Sequence, residues 1–371
     1  MELFEVKTTD EMKALMEHYF SDYQLETETV PLEGALGRVL SAPVVSGVNV
    51  PHFDRSVVDG YAVKLRDVQG ASESIPAFLK LTGAAAMGRE TTLSLHTGEA
   101  VYVPTGGMVP AGAEAMVMIE YTERFGEDEL AVYKWAGSLE NMMLTGDDIR
   151  AGARVFEAGH TIRPQDVGVL SSVGVVEVPV YTKPRITIIS TGDEIIRPGQ
   201  TPGPGQIVDI NTPAIAALSE KLGAEAAGVA YAADDPQAIE DAIVRGLEQS
   251  DAVVLSGGSS VGERDYTLAV LKKLGEVFLH GLSIKPGKPT IMGRAMGKPV
   301  IGLPGQPASA IMVYMVVMKK LMNIFHKTDL YKNQYIVGTL TENVHAAPGR
   351  RTFQTVAVET GEDGVRVKPT Y

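Results

Sequence analysis

The stretch Asp251–Tyr266, D-A-V-V-L-S-G-G-S-S-V-G-E-R-D-Y, leaves this chain little choice of fold. Ala252–Leu255 is a short apolar run with two valines, which predicts a buried strand. Ser256–Gly262 follows with three glycines and three serines in seven positions. Glycine lets backbone approach a ligand closely, and serine adds hydroxyl donors. Leu268, Leu271 and Leu274 then recur at helical spacing, and Gly275 predicts the cap that ends the helix. A strand, a Gly/Ser loop and a helix N-terminus together make an anion site. Free N–H groups and the positive end of the helix dipole both face the loop. Glu263 and Asp265 stand in the same mouth, and carboxylates beside an anion loop suit a metal ion held between acid and phosphate. Asp265 suits equally well a cap on the helix that follows. The loop is not G-x-G-x-x-G, and no G-x-x-x-x-G-K-[ST] occurs, so the usual dinucleotide and P-loop fingerprints are missing.

The surrounding 140 or so residues repeat this pattern, a normal domain size. Strands are expected at Ile186–Ser190, Ala226–Tyr231, Val277–Leu279 and Val300–Leu303. Pro213, after Thr212, predicts a helix N1 with Ile215, Leu218 and Leu222 on one face, and Pro236 opens another helix. A long apolar helix is expected from Ala308 to about Ile324. The alternation predicts a doubly wound α/β sheet. Glu194, Asp234, Asp235 and Asp265 each follow a predicted strand, where the ligand crevice of an open α/β sheet lies. Lys285 and Lys288 share a rigid K-P-G-K-P loop and suit either phosphate binding or a solvated basic turn. Leu303-Pro304-Gly305-Gln306-Pro307 makes one more tight loop at that edge.

Elsewhere, Thr8-Thr9-Asp10-Glu11 reads as a capping box before Met12, Leu15, Met16 and Tyr19. In V-P-H-F-D-R-S-V-V-D-G-Y-A-V at 50–63, Asp59 precedes Gly60 and fits a turn residue, and His52 is read as structural. Phe78–Leu81, Ala100–Val103, Ala115–Tyr121 and Leu130–Trp135 are expected strands, with Trp135 in the core. Pro104-Thr105-Gly106-Gly107 is a second Gly loop carrying a hydroxyl. Near the end, Gln334–Val344, Arg351–Glu359 and Val365–Lys368 are expected strands of an incomplete β domain. A net charge of −13 argues against non-specific nucleic-acid binding. The absence of cysteine excludes disulfides and thiolate metal sites and fits a reducing, cytoplasmic setting. The acidic, polar N-terminus has no signal-peptide pattern, and the apolar run Ile311–Met318 is too short to span a bilayer.

Taken together these stretches resemble the molybdopterin molybdenumtransferase family, the bacterial MoeA proteins and the gephyrin E domain. The matching segments are P-H-F-D-R-S-V-V-D-G-Y-A-V at 51–63, P-T-G-G at 104–107, S-T-G-D-E at 190–194 and S-G-G-S-S-V-G-E-R-D-Y at 256–266. K-P-G-K-P at 285–289 and L-P-G-Q-P-A-S-A at 303–310 complete an ordered set. The resemblance implies an α/β multidomain chain. Residues 183–328 would form a doubly wound molybdopterin-binding-type domain, 51–137 an inserted β-rich domain, 1–50 with 138–182 an elongated mixed α+β linker and dimerisation domain, and 329–371 a partial C-terminal β domain. It implies Mg²⁺-dependent insertion of molybdate into adenylylated molybdopterin, with release of AMP. It also implies a homodimer with active sites shared between subunits, further contacts with the adenylyltransferase and with molybdoenzyme chaperones, and neither nucleic acid nor membrane as partner.

By motif, Asp59, Thr105, Glu194, Asp265, Pro304 and Pro307 carry over as active-site positions, as does one of Asp234 and Asp235. On this reading the pterin phosphate and AMP lie on Ser256, Gly257, Gly258, Ser259, Ser260 and Gly262. Glu194 and Asp265 hold Mg²⁺, Lys285 and Lys288 neutralise the ligand, and Asp59 of the other subunit positions the attacking water or oxyanion. Three departures from the family pattern stand out: Val58 before Asp59-Gly60, Gln306 for asparagine, and Asn141-Met142-Met143 where an arginine is usual. A tungstate-preferring paralogue, a non-enzymatic cofactor carrier or scaffold, and a CinA-type nucleotide pyrophosphatase are the competing expectations.

Overall fold

A computed structural model describes residues 6–257, 266–329, 331, 334–362 and 364–370. Helix α1 (Thr9–Phe20) opens on the expected capping box: the Thr8 hydroxyl accepts from the Glu11 N–H, and the Glu11 carboxylate accepts from the Thr8 N–H. Its buried stripe, Met12, Met16 and Phe20, joins the core of the α/β sheet described below. The large core offers that face more apolar surface to bury.

The β-rich segment contains β1 (Gly60–Val63), β2 (Ala77–Ala84), β3 (Glu99–Val103), β4 (Ala115–Met118), β5 (Thr122–Phe125) and β6 (Glu129–Val132). They form one mixed sheet in the order β4-β1-β3-β2-β6-β5. Alternation along β1 sends Tyr61 and Val63 to one apolar cluster and Ala62 to another. The strand expected over Ala115–Tyr121 stops at Met118, where a 3₁₀ turn takes over. Trp135 is 60% exposed rather than buried. β6 ends at Val132, so the tryptophan lies beyond the strand that would have carried it inward.

Linker residues pair as two short ladders, Thr27–Pro31 with Glu177–Tyr181 and Val44–Val45 with Arg154–Phe156. Helix α2 (Pro164–Ser172) starts with proline at its first turn and buries Leu170 against Leu40, Ile162 and Val178.

The central sheet is built from β7 (Arg185–Thr191), β8 (Glu225–Ala232), β9 (Ala252–Ser256), β10 (Gly275–His280), β11 (Ile291–Ala295) and β12 (Lys298–Leu303). Its order is β8-β7-β9-β12-β11-β10, with the first four strands parallel and the last two antiparallel to their neighbours. Helices α3 (Asn211–Lys221) and α6 (Pro307–Phe325) cover one face, and α4 (Pro236–Gln249) and α5 (Tyr266–Leu274) the other. β9 shows why both faces need cover: Ala252 and Val254 enter one core, Val253 and Leu255 the other. The hydroxyls of Ser219 and Tyr314 hydrogen-bond each other and join α3 to α6. α6 is long and apolar enough by composition to cross a membrane, but its apolar residues fill the core. α3 begins two residues before Pro213, the expected first position.

A small sheet, β13 (Thr339–Leu340), β14 (Val356–Gly361) and β15 (Gly364–Pro369), lies near the C-terminus in the order β13-β15-β14. The strand expected over Gln334–Val344 shrinks to two residues, and Tyr335, Ile336 and Val337 are exposed.

Candidate functional site

The chain leaves β7 for β8 on one side and returns to β9 on the other, so the topological switch point lies between β7 and β9. Ligand crevices of open α/β sheets form beyond the carboxyl ends of such strands. β9 ends at Ser256, and Gly257 follows with φ +104. A Cβ on Gly257 would sit 2.3 Å from the Thr191 carbonyl oxygen, so only glycine lets the two strand ends close together. Gly305, after β12, packs against Gly257 in turn. Asn211 fastens these ends: its Nδ2 donates to Ser256 Oγ and to the Gly305 carbonyl, both at 2.8 Å. One oxygen of Asp209 accepts the N–H groups of Asn211 and Thr212 at 3.1 Å and so caps α3.

The acids stand around this crevice. Glu194 is exposed on the loop after β7. Asp193 Oδ1 accepts the Asp234 N–H at 3.2 Å and brings the loops after β7 and β8 together. Asp235 caps α4, its Oδ2 accepting from the Ala238 N–H at 2.9 Å. Asp234 is half-buried at the mouth. Pro304 is buried at the end of β12, and Pro307 is the first residue of α6. The Gln306 side chain caps none of the first-turn N–H groups, which leaves a helix N-terminus suited to an anion. Lys285 and Lys288 belong to the same edge: His280 pairs with Ile291 and Ile291 with Gly302, so the 281–290 connection emerges beside β12. Gly287, with φ +116, seats that loop on α6, since a Cβ there would lie 2.5 Å from Val313. Gly258, Ser259, Ser260, Gly262 and Asp265 fall outside the described residues.

Asp59 and Thr105 meet each other on the β-rich segment. The Thr105 N–H donates to Asp59 Oδ1 at 2.9 Å. Thr105 lies in the tight turn closed by Gly107 N–H to the Pro104 carbonyl at 2.8 Å, with Gly106 at φ +78. Gly60 begins β1 and is no turn residue; a Cβ would lie 2.2 Å from the Val117 carbonyl oxygen. A hollow of about 390 Å³ beside the turn is lined by Phe53, Gly88, Arg89, Glu90, Gly106 and Met108. The Met142–Met143 departure faces Arg55, whose guanidinium lies 3.2 Å from Met143 Sδ.

Among the described residues no three acidic or histidine side chains converge as a metal cage. Mg²⁺ seldom needs one, because it is commonly held by one or two carboxylates plus substrate phosphates. Glu194 supplies that type of oxygen ligand at the mouth.

Residues 7–174 match the MoeA N-terminal region (domain I and II), and residues 187–323 match the probable molybdopterin binding domain. A molybdopterin molybdenumtransferase of Haemophilus influenzae is 32% identical over 343 residues, or 92% of this chain and 84% of the relative. The chain belongs to the MoeA family. A molybdopterin molybdenumtransferase of Nostoc sp. is 33% identical over 297 residues, covering 79% of this chain and 68% of the relative. A crystal structure of a molybdopterin biosynthesis MoeA protein from Pyrococcus horikoshii OT3 superposes with a TM-score of 0.82 at 28% identity, over 98% of this chain and 90% of that one. A second MoeA structure from Pyrococcus reaches 0.81 at 36% identity, over 99% and 90%. This MoeA-family chain is accordingly a transferase-class enzyme with the mixed α/β multidomain fold of those structures.

Sequence reasoning missed Thr191, Asp209, Asn211 and Thr212. The signal was present in D-I-N-T-P at 209–213, an acid, an amide and a hydroxyl just before a helix. Reading Pro213 as the helix start drew attention away from the residues ahead of it.

Proposed function

We propose that this chain is a molybdopterin molybdenumtransferase, which inserts molybdate into adenylylated molybdopterin and releases AMP in the cytoplasm. The observation that carries the reading is the closure of three strand ends, at Thr191, Gly257 and Gly305, around one crevice beside the uncapped start of α6. Such a crevice suits a phosphate-bearing ligand. Ser256 and Gly257 contact its phosphates, and Lys285 and Lys288 offset its charge. Glu194 and Asp265 would hold Mg²⁺, which supplies charge neutralisation between acids and phosphates. Of the aspartate pair, Asp234 rather than the capping Asp235 is the acid assigned to the site. Pro304 and Pro307 fix the loop that carries the α6 N–H groups.

Asp59, held by the Thr105 turn, positions the attacking oxygen from the partner copy of a homodimer. Where that oxygen is a water's, it bonds to the molybdopterin-side phosphorus as Asp59 takes its proton, and the bond from that phosphorus to the bridging oxygen breaks, so that AMP departs carrying the bridging oxygen. The test is incubation of purified protein with adenylylated molybdopterin, Mg²⁺ and molybdate or tungstate, following AMP and metal-loaded cofactor. Molybdate-dependent AMP release is the expected result. Binding without turnover would favour a carrier, faster release with tungstate a tungstate-preferring paralogue, and cleavage of ADP-ribose a pyrophosphatase.

A further inference from the structure

Five buried side-chain oxygens have no hydrogen-bond partner among the described residues, and four of them belong to Thr191, at the end of β7, and to the segment 209–212, which Asn211 ties to Ser256 and Gly305. They are Thr191 Oγ1, Asp209 Oδ2, Asn211 Oδ1 and Thr212 Oγ1, on residues only 3%, 5%, 8% and 3% exposed. An unpaired buried polar atom destabilises the folded chain, so a cluster of four calls for an occupant. Each is held in place by what its neighbours do. The other Asp209 oxygen is committed to capping α3. Both contacts of Asn211 Nδ2 are used on Ser256 and Gly305, so the atom left over is the acceptor oxygen. Thr191 Oγ1 lies against Gly257, 2.8 Å from where a Cβ would stand.

We infer that this cluster reads the 2-amino-4-oxopyrimidine edge of a pterin, an assignment that rests on the transferase reading and locates one end of its substrate. That edge presents two donors, the 2-amino group and N3–H, followed by the 4-oxo acceptor. The cluster answers with two acceptors, Asp209 Oδ2 and Asn211 Oδ1, and with threonine hydroxyls able to donate. Adenine presents one donor beside an acceptor and leaves one of those two acceptors unpaired. The AMP half of the substrate is therefore directed away from the cluster, toward the α6 N-terminus.

The experiment is a fluorescence titration with 6-hydroxymethylpterin and with 6-hydroxymethyllumazine, in which a 2-oxo group replaces the 2-amino group. Wild-type protein binds the pterin at least about tenfold more tightly. Asp209→Asn keeps a carbonyl to cap α3 but turns an amino group toward the ligand, so the preference reverses to the lumazine. Thr191→Val and Thr212→Val raise Tm, because each removes an unpaired hydroxyl, and weaken the pterin several-fold. This opposition of stability and affinity is one that a purely structural role would not produce. Equal binding of the two probes by wild type, no binding of either, or an unchanged preference in Asp209→Asn overturns the assignment. If Asp209→Asn fails to fold, the valine variants decide alone, and unaltered pterin affinity in both overturns it. AMP release measured in parallel separates the two readings. Release without pterin preference sinks only this inference, and pterin preference without release sinks the transferase.

Discussion

At Gly60 a methyl group would land 2.2 Å from a backbone oxygen of β4. Gly60→Ala is expected to lower stability by roughly 1–3 kcal/mol in urea unfolding, through overpacking. Its neighbour Asp59 behaves differently. Asp59→Asn retains an oxygen for the Thr105 N–H, so thermal unfolding should barely move while AMP release falls by roughly a hundredfold or more. Asp265→Asn is expected to give the same split. Near-normal turnover by either variant would remove that residue from the site. The sequence singles out these acids because each sits in a short motif with glycine. Asn211 is not singled out in this way, since its role depends on Ser256 and Gly305, 45 and 94 residues further along the chain. Trp135 was misread for a related reason. Hydrophobicity predicts burial only if the strand reaches the residue, and β6 stops three positions short.

Two helix ends carry titratable groups whose lowered pKa values both make the fold less stable in acid, each in its own pH window. At the start of α2, Asp166 is buried and accepts from Arg163 Nε at 2.9 Å and Nη2 at 3.0 Å, with His160 Nε2 2.7 Å away. The Arg163 guanidinium, the nearby N–H and His160 hold its carboxyl well below the usual carboxylate range. A depressed carboxylate contributes stability above its unfolded pKa and loses it as pH falls. Asp166→Asn should therefore cost roughly 2 kcal/mol at neutral pH and less below pH ~4. At the end of α6, burial lowers His326 to about 4. The unfolded chain then takes up a proton that the folded chain refuses between pH ~6.5 and about 4. Stability should fall across that window by at most about 1.4 kcal/mol per pH unit. His326→Gln should flatten the slope in chemical unfolding, and an unchanged slope would contradict the assignment. Element types were readable where both faces of a strand are apolar, as in β9. They failed at 334–344, where β-branched and aromatic residues predict a strand but lack a continuous partner.

In the whole molecule, the crevice residues stand on the central sheet, and Asp59 with Thr105 on the β-rich sheet. The hydrogen bonds of this second pair run to each other and to residues of their own segment. The sequence presents these two groups separately, and nothing in the spacing of residues says how they combine. On the proposed reading two copies complete each site. The direct measurement mixes Asp59→Asn with Glu194→Gln, each inactive alone, under conditions where subunits exchange, and follows molybdate-dependent AMP release. Every mixed dimer holds one site with both side chains intact, so activity should return to about a quarter of wild type by statistical pairing. No recovery, in dimers shown to have exchanged, would contradict the account.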